Sequence, residues 1–343
     1  MITPVPSVGP SPGNNQNLRA IKSFLLISLS ILLIAVLAIV SLLLGVANVT
    51  PSMLVDPYTA SQAWEILLIS RFPRTIALIL AGTSMAVAGL IMQMLVRNRF
   101  VEPSTAGTVE SATLGILVVT LVVPGALIPV KMLIATIFAM TGTLLFLLLL
   151  RKVPLRSPFL VPVIGLVLGG VIQAITTFIA YRFDLLQSLH AWSTGDFSGI
   201  LVGRYEFLWV GLLLAILAYV IADKFTVIGM GEQFTKNLGI PYKRLITIGL
   251  IIVSAMSAVV VVTAGTIPFL GLLIPNIVSL FIGDNLRRSI PWVAYTGAVF
   301  VLACDIIGRG ITYPNEIPIG TVVGVVGSFF FLYLLLGRHA RAN

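Results

Sequence analysis

The stretch Phe24–Val46, FLLISLSILLIAVLAIVSLLLGV, contains 23 residues and no charged side chain. A helix needs about 20 apolar residues to cross the hydrocarbon core of a bilayer, because each residue adds about 1.5 Å of length. The stretch is also longer than the apolar core of a signal peptide, so it predicts a first membrane span that is retained. The sequence therefore predicts an all-α polytopic membrane protein.

The composition of the whole chain agrees with this prediction. Of its 343 residues 58% are hydrophobic and 10% are charged, whereas soluble proteins carry about 25% charged residues. The net charge of +9 comes from basic residues scattered through short loops, a pattern that indicates membrane topology and no nucleic-acid partner. A single cysteine, Cys304, and two histidines, His190 and His339, predict no disulfide, metal site or cofactor.

About ten apolar spans follow one another along the chain. They are predicted at residues 23–46, 72–96, 105–123, 130–150, 159–181, 207–222, 244–264, 268–283, 290–309 and 317–337. The Pro/Gly/Asn-rich residues 1–22 are predicted to be a disordered cytoplasmic N-terminus, and residues 23–343 a ten-helix transmembrane domain. The eighth span is short and interrupted by glycine and proline, so we expect it to face a pathway or a partner chain.

The basic residues orient these spans, since short cytoplasmic loops carry an excess of lysine and arginine. An N-terminus inside the cell places fifteen of the 21 basic residues on the cytoplasmic side and six outside. Both termini are then cytoplasmic, residues 182–206 form a long external loop, and residues 223–243 form a cytoplasmic loop. Spans 2–5 begin outside and spans 7–10 begin inside, so any structural repeat between the two halves is inverted in the membrane.

Catalytic motifs are missing from the sequence. It contains no Walker-type glycine loop, no Ser/His/Asp set and no HExxH, so we predict no catalytic residue and no ATP hydrolysis by this chain. Charges deep within the spans are limited to Asp305 and Glu110. Ion-coupled carriers use several such groups, which disfavours a secondary transporter that acts alone. That alternative and a membrane-embedded enzyme both stay open.

The longest polar interruption on the cytoplasmic side contains one predicted short helix, Gly231–Gly239. Glu232 and Lys236 are four residues apart and can form an ion pair, while Phe234 and Leu238 share another face. A helix of about two turns is marginal in water and needs a surface to lie against. It either rests on the membrane or on its own bundle, or it docks a soluble partner.

Two arginines, Arg71 and Arg74, begin the second span in the motif RFPR. As positive charges on the external side they oppose the orientation rule, and they either reach lipid headgroups or meet acidic groups of an external protein. Asp305 and Arg309 lie four residues apart near the external end of span nine, as in an intrahelical ion pair. Arg309 could also join the external arginines.

Three uncharged polar residues, Gln93, Gln173 and Asn276, lie on spans that contain glycine. Side chains of this kind form hydrogen bonds between helices or line a transport pathway. They are our candidates for pathway-lining residues.

Four long motifs resemble the FecCD-type permease subunits of ABC importers for iron–siderophores, haem and cobalamin. They are RFPRTIALILAGTSMAVAGLIMQMLVRNRFVEPSTAG, GMGEQFTKNLGIPYKR, GTIPFLGLLIPNIVSLFIGDNLRR and NEIPIGTVVGVVGSFFFLYLLL. Their order and spacing extend the resemblance over nearly the whole chain from span two onward. The stretches RNRFVEPSTAGTVE and TGDFSGI resemble the branch that handles catecholate-type ferric siderophores such as petrobactin or anguibactin.

This resemblance implies the type II importer fold with ten spans and inverted halves, and no catalytic role for the chain itself. The implied partners are a cytoplasmic ABC ATPase dimer, a second permease, an external substrate-binding lipoprotein and a ferric siderophore. It implies ATPase coupling through Gly231, Glu232, Phe234, Leu238 and Gly239. It also implies docking of the binding protein at external arginines that match Arg71, Arg74 and Arg309. Asn276 departs from the family, which often has histidine there.

Overall fold

The computed structural model describes residues 12–45, 51–54, 56, 58, 60–153 and 159–339, and it describes the side chains of 26–45, 52–54, 56, 58, 60–153 and 159–333. The helices in chain order are α1 (Pro12–Leu43), α2 (Ala60–Ile66), α3 (Phe72–Val96), α4 (Thr108–Val122), α5 (Ile128–Lys152), α6 (Leu160–Arg182), α7 (Leu186–Ser193), α8 (Trp209–Val220), α9 (Ala222–Gly229), α10 (Glu232–Asn237), α11 (Tyr242–Ala264), α12 (Leu270–Ile282), α13 (Leu286–Ile311) and α14 (Ile319–His339). No strand occurs in these residues. The all-α fold class is confirmed.

A helix lies at each of the ten predicted spans, although not all ten are long enough to cross a membrane. Within the described residues six helices are long and apolar enough to cross a membrane, and α8 with α9 makes a seventh that is bent by 68°. Three shorter apolar helices, α4, α12 and the described part of α14, complete the set. A helix of 13 residues such as α12 spans only about 20 Å, which agrees with the predicted short eighth span.

The first helix begins before the first predicted span. Helix α1 begins at Pro12, so residues 12–22 are helical, while residues 1–11 lie outside the described residues. Proline suits the first position of a helix, and a long apolar run extends a helix once it has nucleated. Along Leu26–Leu43 only 6% of the helix is buried, so α1 lies at the edge of the bundle.

Helix α3 is the centre of the bundle. It is buried on all sides, as expected of a helix that is apolar all round, and α13, α11, α12 and α8 pack around it. Glycines permit the closest approaches. A Cβ atom on Gly89 would lie 2.1 Å from the carbonyl oxygen of Gly271 in α12, and one on Gly82 would lie 2.6 Å from that of Gly297 in α13. Small residues allow helix backbones to touch in this way.

Candidate functional site

The end of the bundle near α7 contains a buried network of ion pairs. Arg74 donates to Oδ1 of Asp305 and to Oε2 of Glu316, both at 2.7 Å, and Arg309 pairs with the other oxygen of Asp305. The Asp305 side chain is fully buried, and a buried carboxylate requires partners of this kind. The network joins α3, α13 and the segment before α14. It also confirms the predicted pair of Asp305 with Arg309.

The same end of the bundle holds the last turn of α1. The Arg71 Nη1 donates to the carbonyl oxygens of Leu42 and Leu43, at 2.7 and 2.9 Å. The Arg309 Nη1 donates to those of Ser41 and Leu44, at 3.0 and 2.8 Å. The last four carbonyls of a helix have no partner within it, so two arginines from other parts of the chain complete this helix end.

The structure therefore brings the three predicted docking arginines together, but uses their guanidinium groups inside the chain. Arg71 and Arg309 are 6% and 5% exposed, and the Arg74 side chain is 12% exposed. Of the three, Arg74 lies nearest the protein surface, because it pairs with the Glu316 side chain, which is 25% exposed. A docking role for these arginines stays a prediction.

Helix α10 occupies the opposite end of the bundle, beside the end of α3. It begins after Gly231, which has φ +117°, and the chain turns away at Gly239, which has φ +73°. Both values favour glycine. The predicted pair is present, with Lys236 Nζ 2.8 Å from Glu232 Oε1, and the hydrogen bond from Lys236 lowers the pKa of Glu232. The helix agrees with the predicted Gly231–Gly239.

One face of α10 is fixed and the other is open. The buried hydroxyl of Thr235 has one proton, which the carbonyl oxygens of Gly231, at 2.7 Å, and of Val227 in α9, at 3.1 Å, share. On the other side Phe234 and Leu238 are 47% and 56% exposed. Helix α10 is thus a short, anchored projection with an apolar tip.

A cavity of about 540 Å³ lies next to this projection. Its lining residues come from the end of α3, from α9 and from the turn between α12 and α13, and include Gln93, Arg97, Arg99 and Asp284. Arg99 and Asp284 form an exposed ion pair across it. The cavity borders α9 and the residue before Gly231, so movement of α10 would change its shape.

The three polar residues proposed to line a pathway have different surroundings. Gln93 is buried and its Nε2 donates to the Gly271 oxygen at 3.3 Å. The Asn276 Nδ2 donates to the carbonyl oxygens of Arg99 and Leu272, at 2.8 and 2.7 Å. These two side chains thus connect segments of the bundle. Gln173 on α6 lines an open groove of about 610 Å³.

One buried acidic residue, Glu102, has a structural position that the sequence did not indicate. Its carboxylate accepts hydrogen bonds from the backbone N–H groups of Phe269 and Leu272, at 2.8 and 3.1 Å, and from the Ser104 hydroxyl. Glu102 thereby caps the start of α12, where a negative charge also favours the helix dipole. In the sequence, the only indication of this capping role was an acidic residue before Pro103, in a polar segment with the appearance of a solvated loop.

Apolar helices, some of them broken, that pack around one central helix are the features of a multi-pass α-helical membrane protein. The FecCD transport family matches residues 32–337. The chain belongs to the FecCD transport family.

Several relatives are similar over most of their length. The petrobactin import system permease protein YclN of Bacillus subtilis (strain 168) is 49% identical over 91% of this chain and 98% of the relative. The petrobactin import system permease protein FatD of Bacillus anthracis is 40% identical over 99% of this chain and 98% of the relative. The ferric-anguibactin transport system permease protein FatD of Vibrio anguillarum (strain ATCC 68554 / 775) is 42% identical over 88% of this chain and 95% of the relative.

A solved structure supports the fold independently. A metal-chelate type ABC transporter, described in an inward-facing conformation, superposes with a TM-score of 0.75 at 22% identity, covering 90% of this chain and 97% of that chain. At this identity the likeness concerns the fold alone. It agrees with the fold expected from the family resemblance.

Proposed function

We propose that this chain is the transmembrane permease subunit of an ATP-driven ABC importer that carries a ferric siderophore, of the catecholate type, across the cytoplasmic membrane. Three similar relatives carry names of petrobactin or anguibactin transport. The observation that carries the mechanism is α10, with Phe234 and Leu238 exposed on a helix anchored by Thr235. Its apolar tip suits a groove in a partner protein.

The partner at α10 is a cytoplasmic ABC ATPase dimer, one ATPase for each permease. Because Thr235 ties α10 to α9, a displacement of α10 passes to α9. Helix α9 packs against α3 and α13 in the centre of the bundle. ATP binding and hydrolysis in the partner would in this way change which side of the membrane the pathway faces, with no catalytic residue in this chain.

The orientation follows from the distribution of basic residues. With α10 and both termini in the cytoplasm, fifteen of the 21 basic residues lie inside, as the positive-inside rule requires. The arginine network then lies at the external end. A substrate-binding lipoprotein would dock there, and an acidic side chain of that protein can compete with Glu316 for Arg74, the least buried of the three arginines.

The pathway would lie along α6, between this chain and a second permease. The groove on α6 is lined by Gly170, Gln173, Thr177 and Tyr181, among others. Amide and hydroxyl groups are unfavourable against lipid and favourable beside a water-filled route. A weakly polar surface without fixed charge also suits a bulky charged chelate, which tight ion pairing would retain.

The test is the pair of substitutions Phe234→Asp and Leu238→Asp, with Leu127→Asp as the matched control. Leu127 is 73% exposed and lies between α4 and α5, at the other end of the bundle. We expect both α10 variants to lose co-purification with the ATPase and ATP-dependent siderophore uptake, and the control to keep both. Uptake driven by an ion gradient in liposomes without an ATPase would instead establish a secondary carrier. Uptake of haem or cobalamin, without uptake of any ferric siderophore, would show that the proposed substrate is wrong.

A further inference from the structure

A separate cavity of about 190 Å³ lies between the start of α4, α6 and the broken connection from α11 to α12. Six of the nine residues that line it are polar, and three are apolar. The polar lining residues are Ser104, Glu110, Thr113, Gln173, Ser193 and Thr266. The volume exceeds that of a single water molecule, about 30 Å³ in the liquid, yet it is far too small for an entire metal chelate. The cavity therefore suits a small ion or one functional group of a larger molecule.

Glu110 gives this cavity its chemical character. Its Oε2 atom is buried and has no hydrogen-bond partner among the described residues. The carboxyl group has its own backbone N–H and the like-charged Glu102 as neighbours. No lysine, arginine or histidine is among the residues that line the cavity. A buried carboxylate is costly without a counter-charge or further hydrogen bonds, so this site lacks a cationic partner.

The neighbouring Glu102 cannot provide the counter-charge or the hydrogen bond that Glu110 lacks, because it is itself acidic. Its own carboxylate already accepts hydrogen bonds from Ser104 and from the backbone N–H groups that begin α12. The two carboxylates therefore add negative charge to one region, and only that of Glu110 has an oxygen left over. Serine and threonine hydroxyls and the Gln173 amide also line the cavity, and their oxygen atoms can face a cation.

The cavity is also next to the proposed pathway. Gln173 lines both the cavity and the open groove on α6. Gln173 is thus the residue that the cavity and the groove have in common. An ionisable residue within a membrane-spanning region commonly marks such a route.

We propose that the Glu110 cavity binds a monovalent cationic group, held by the Glu110 carboxylate and the surrounding oxygen atoms. The group is either a free alkali ion or an ammonium group carried by the transported molecule, and the two share the same recognition chemistry. The binding site itself is independent of the transport function. Only the assignment of the ammonium group to the cargo rests on the proposed function.

Binding can be measured on the full chain in lipid nanodiscs by thermal unfolding, followed through tryptophan fluorescence. Sodium, potassium or methylammonium chloride replaces N-methylglucamine chloride at constant ionic strength. We expect at least one of the three small cations to raise the unfolding temperature in proportion to the logarithm of its concentration. Glu110→Gln should need at least tenfold more of that cation for the same shift, Glu110→Asp should retain part of the response, and Glu65→Gln, at an exposed position on α2, should behave as the unchanged chain.

The outcomes separate cleanly. A response to sodium or potassium identifies a free ion, and a response to methylammonium alone identifies an amine group. An equal response of the unchanged chain and Glu110→Gln, or no response to any small cation, overturns the proposal. Co-purification with the ATPase, measured on the same variants, reports on the transport function separately, so a failure of one proposal cannot be mistaken for a failure of the other.

Discussion

Arg309 and Ser41 are separated by 268 residues in sequence and joined by two hydrogen bonds. The Arg309 Nη1 donates to the Ser41 carbonyl oxygen at 3.0 Å and its Nη2 to the Ser41 Oγ at 2.8 Å. These bonds attach α1, which is otherwise largely exposed, to α13. The position of the first span thus depends on Arg309 together with Arg71, which donates to the carbonyl oxygens of Leu42 and Leu43.

Replacing Arg309 by methionine should loosen the end of α1, which Arg71 alone would then hold. The variant keeps an apolar stem but leaves the carbonyls of Ser41 and Leu44 unpaired and removes one partner of Asp305. We expect a loss of about 3–5 kcal/mol in unfolding free energy, the usual effect of breaking a buried ion pair. Denaturation in detergent measures it, with Arg182→Met, at an exposed position, as the control. Equal stability of the two variants would contradict the assigned role.

Asp305 and Glu316 should differ in their contributions, although both accept from Arg74. The Asp305 side chain is fully buried between two arginines, while that of Glu316 is 25% exposed. We expect Asp305→Asn to lower the unfolding free energy by about 3–5 kcal/mol and Glu316→Gln by about 1 kcal/mol or less. Comparable losses in the same denaturation experiment would show that burial does not set the strength of this network.

A methyl group added at Gly89 should force α3 and α12 apart. The new Cβ atom would lie 2.1 Å from the Gly271 oxygen, whereas the same change at Gly170 meets nothing within 4 Å. We expect Gly89→Ala to lose at least 1–3 kcal/mol of stability, as overpacking does, and to reduce siderophore uptake. Gly170→Ala should retain wild-type stability. Expression level and thermal unfolding distinguish them.

Removing the Glu102 carboxylate should disorder the start of α12. Glu102→Ala leaves the half-buried N–H of Phe269 without its acceptor and the N–H of Leu272 with the Phe269 carbonyl oxygen alone, at a total cost of about 1–3 kcal/mol. Glu102→Gln keeps one acceptor oxygen, so its rate of hydrogen exchange in α12 should lie between the rates of the alanine variant and the unchanged chain. Hydrogen exchange of α12 provides the measurement. Unchanged exchange in the alanine variant would argue against a capping role.

The hydroxyl of Thr235 should matter for coupling more than for folding. Thr235→Val removes the hydroxyl proton that the carbonyl oxygens of Val227 in α9 and of Gly231 share, a loss of about 1 kcal/mol. We expect normal expression and ATPase binding, but reduced uptake for each ATP hydrolysed. Thr247→Val is the matched control, because the exposed Thr247 hydroxyl only donates within α11. A normal ratio of uptake to ATP hydrolysis in Thr235→Val would contradict the proposal that displacement of α10 is transmitted to α9 through Thr235.

Much of the fold could be predicted from local sequence. Apolar runs of about 20 residues have few alternatives to membrane spans, and the bounds of α10 follow from Gly231 and Gly239, whose backbone angles suit glycine. The predicted pairs Glu232–Lys236 and Asp305–Arg309 lie within single helices, where four-residue spacing sets the geometry. Helix α1 begins at Pro12, eleven residues before the predicted first span, because a helix that has nucleated in an apolar run extends beyond it.

The sequence by itself determined the membrane class, the number of apolar spans and the projecting helix α10, since these depend on hydrophobicity and on spacing within a few residues. Only the tertiary structure decided that Arg71 and Arg309 cap α1, that Gly89 meets Gly271, that Glu102 caps α12 and that Glu110 faces a cavity without a counter-charge. Each of these depends on groups brought together by the packing of distant helices. A side chain's type shows that it needs a partner in a low-dielectric interior, but only packing shows which partner it finds.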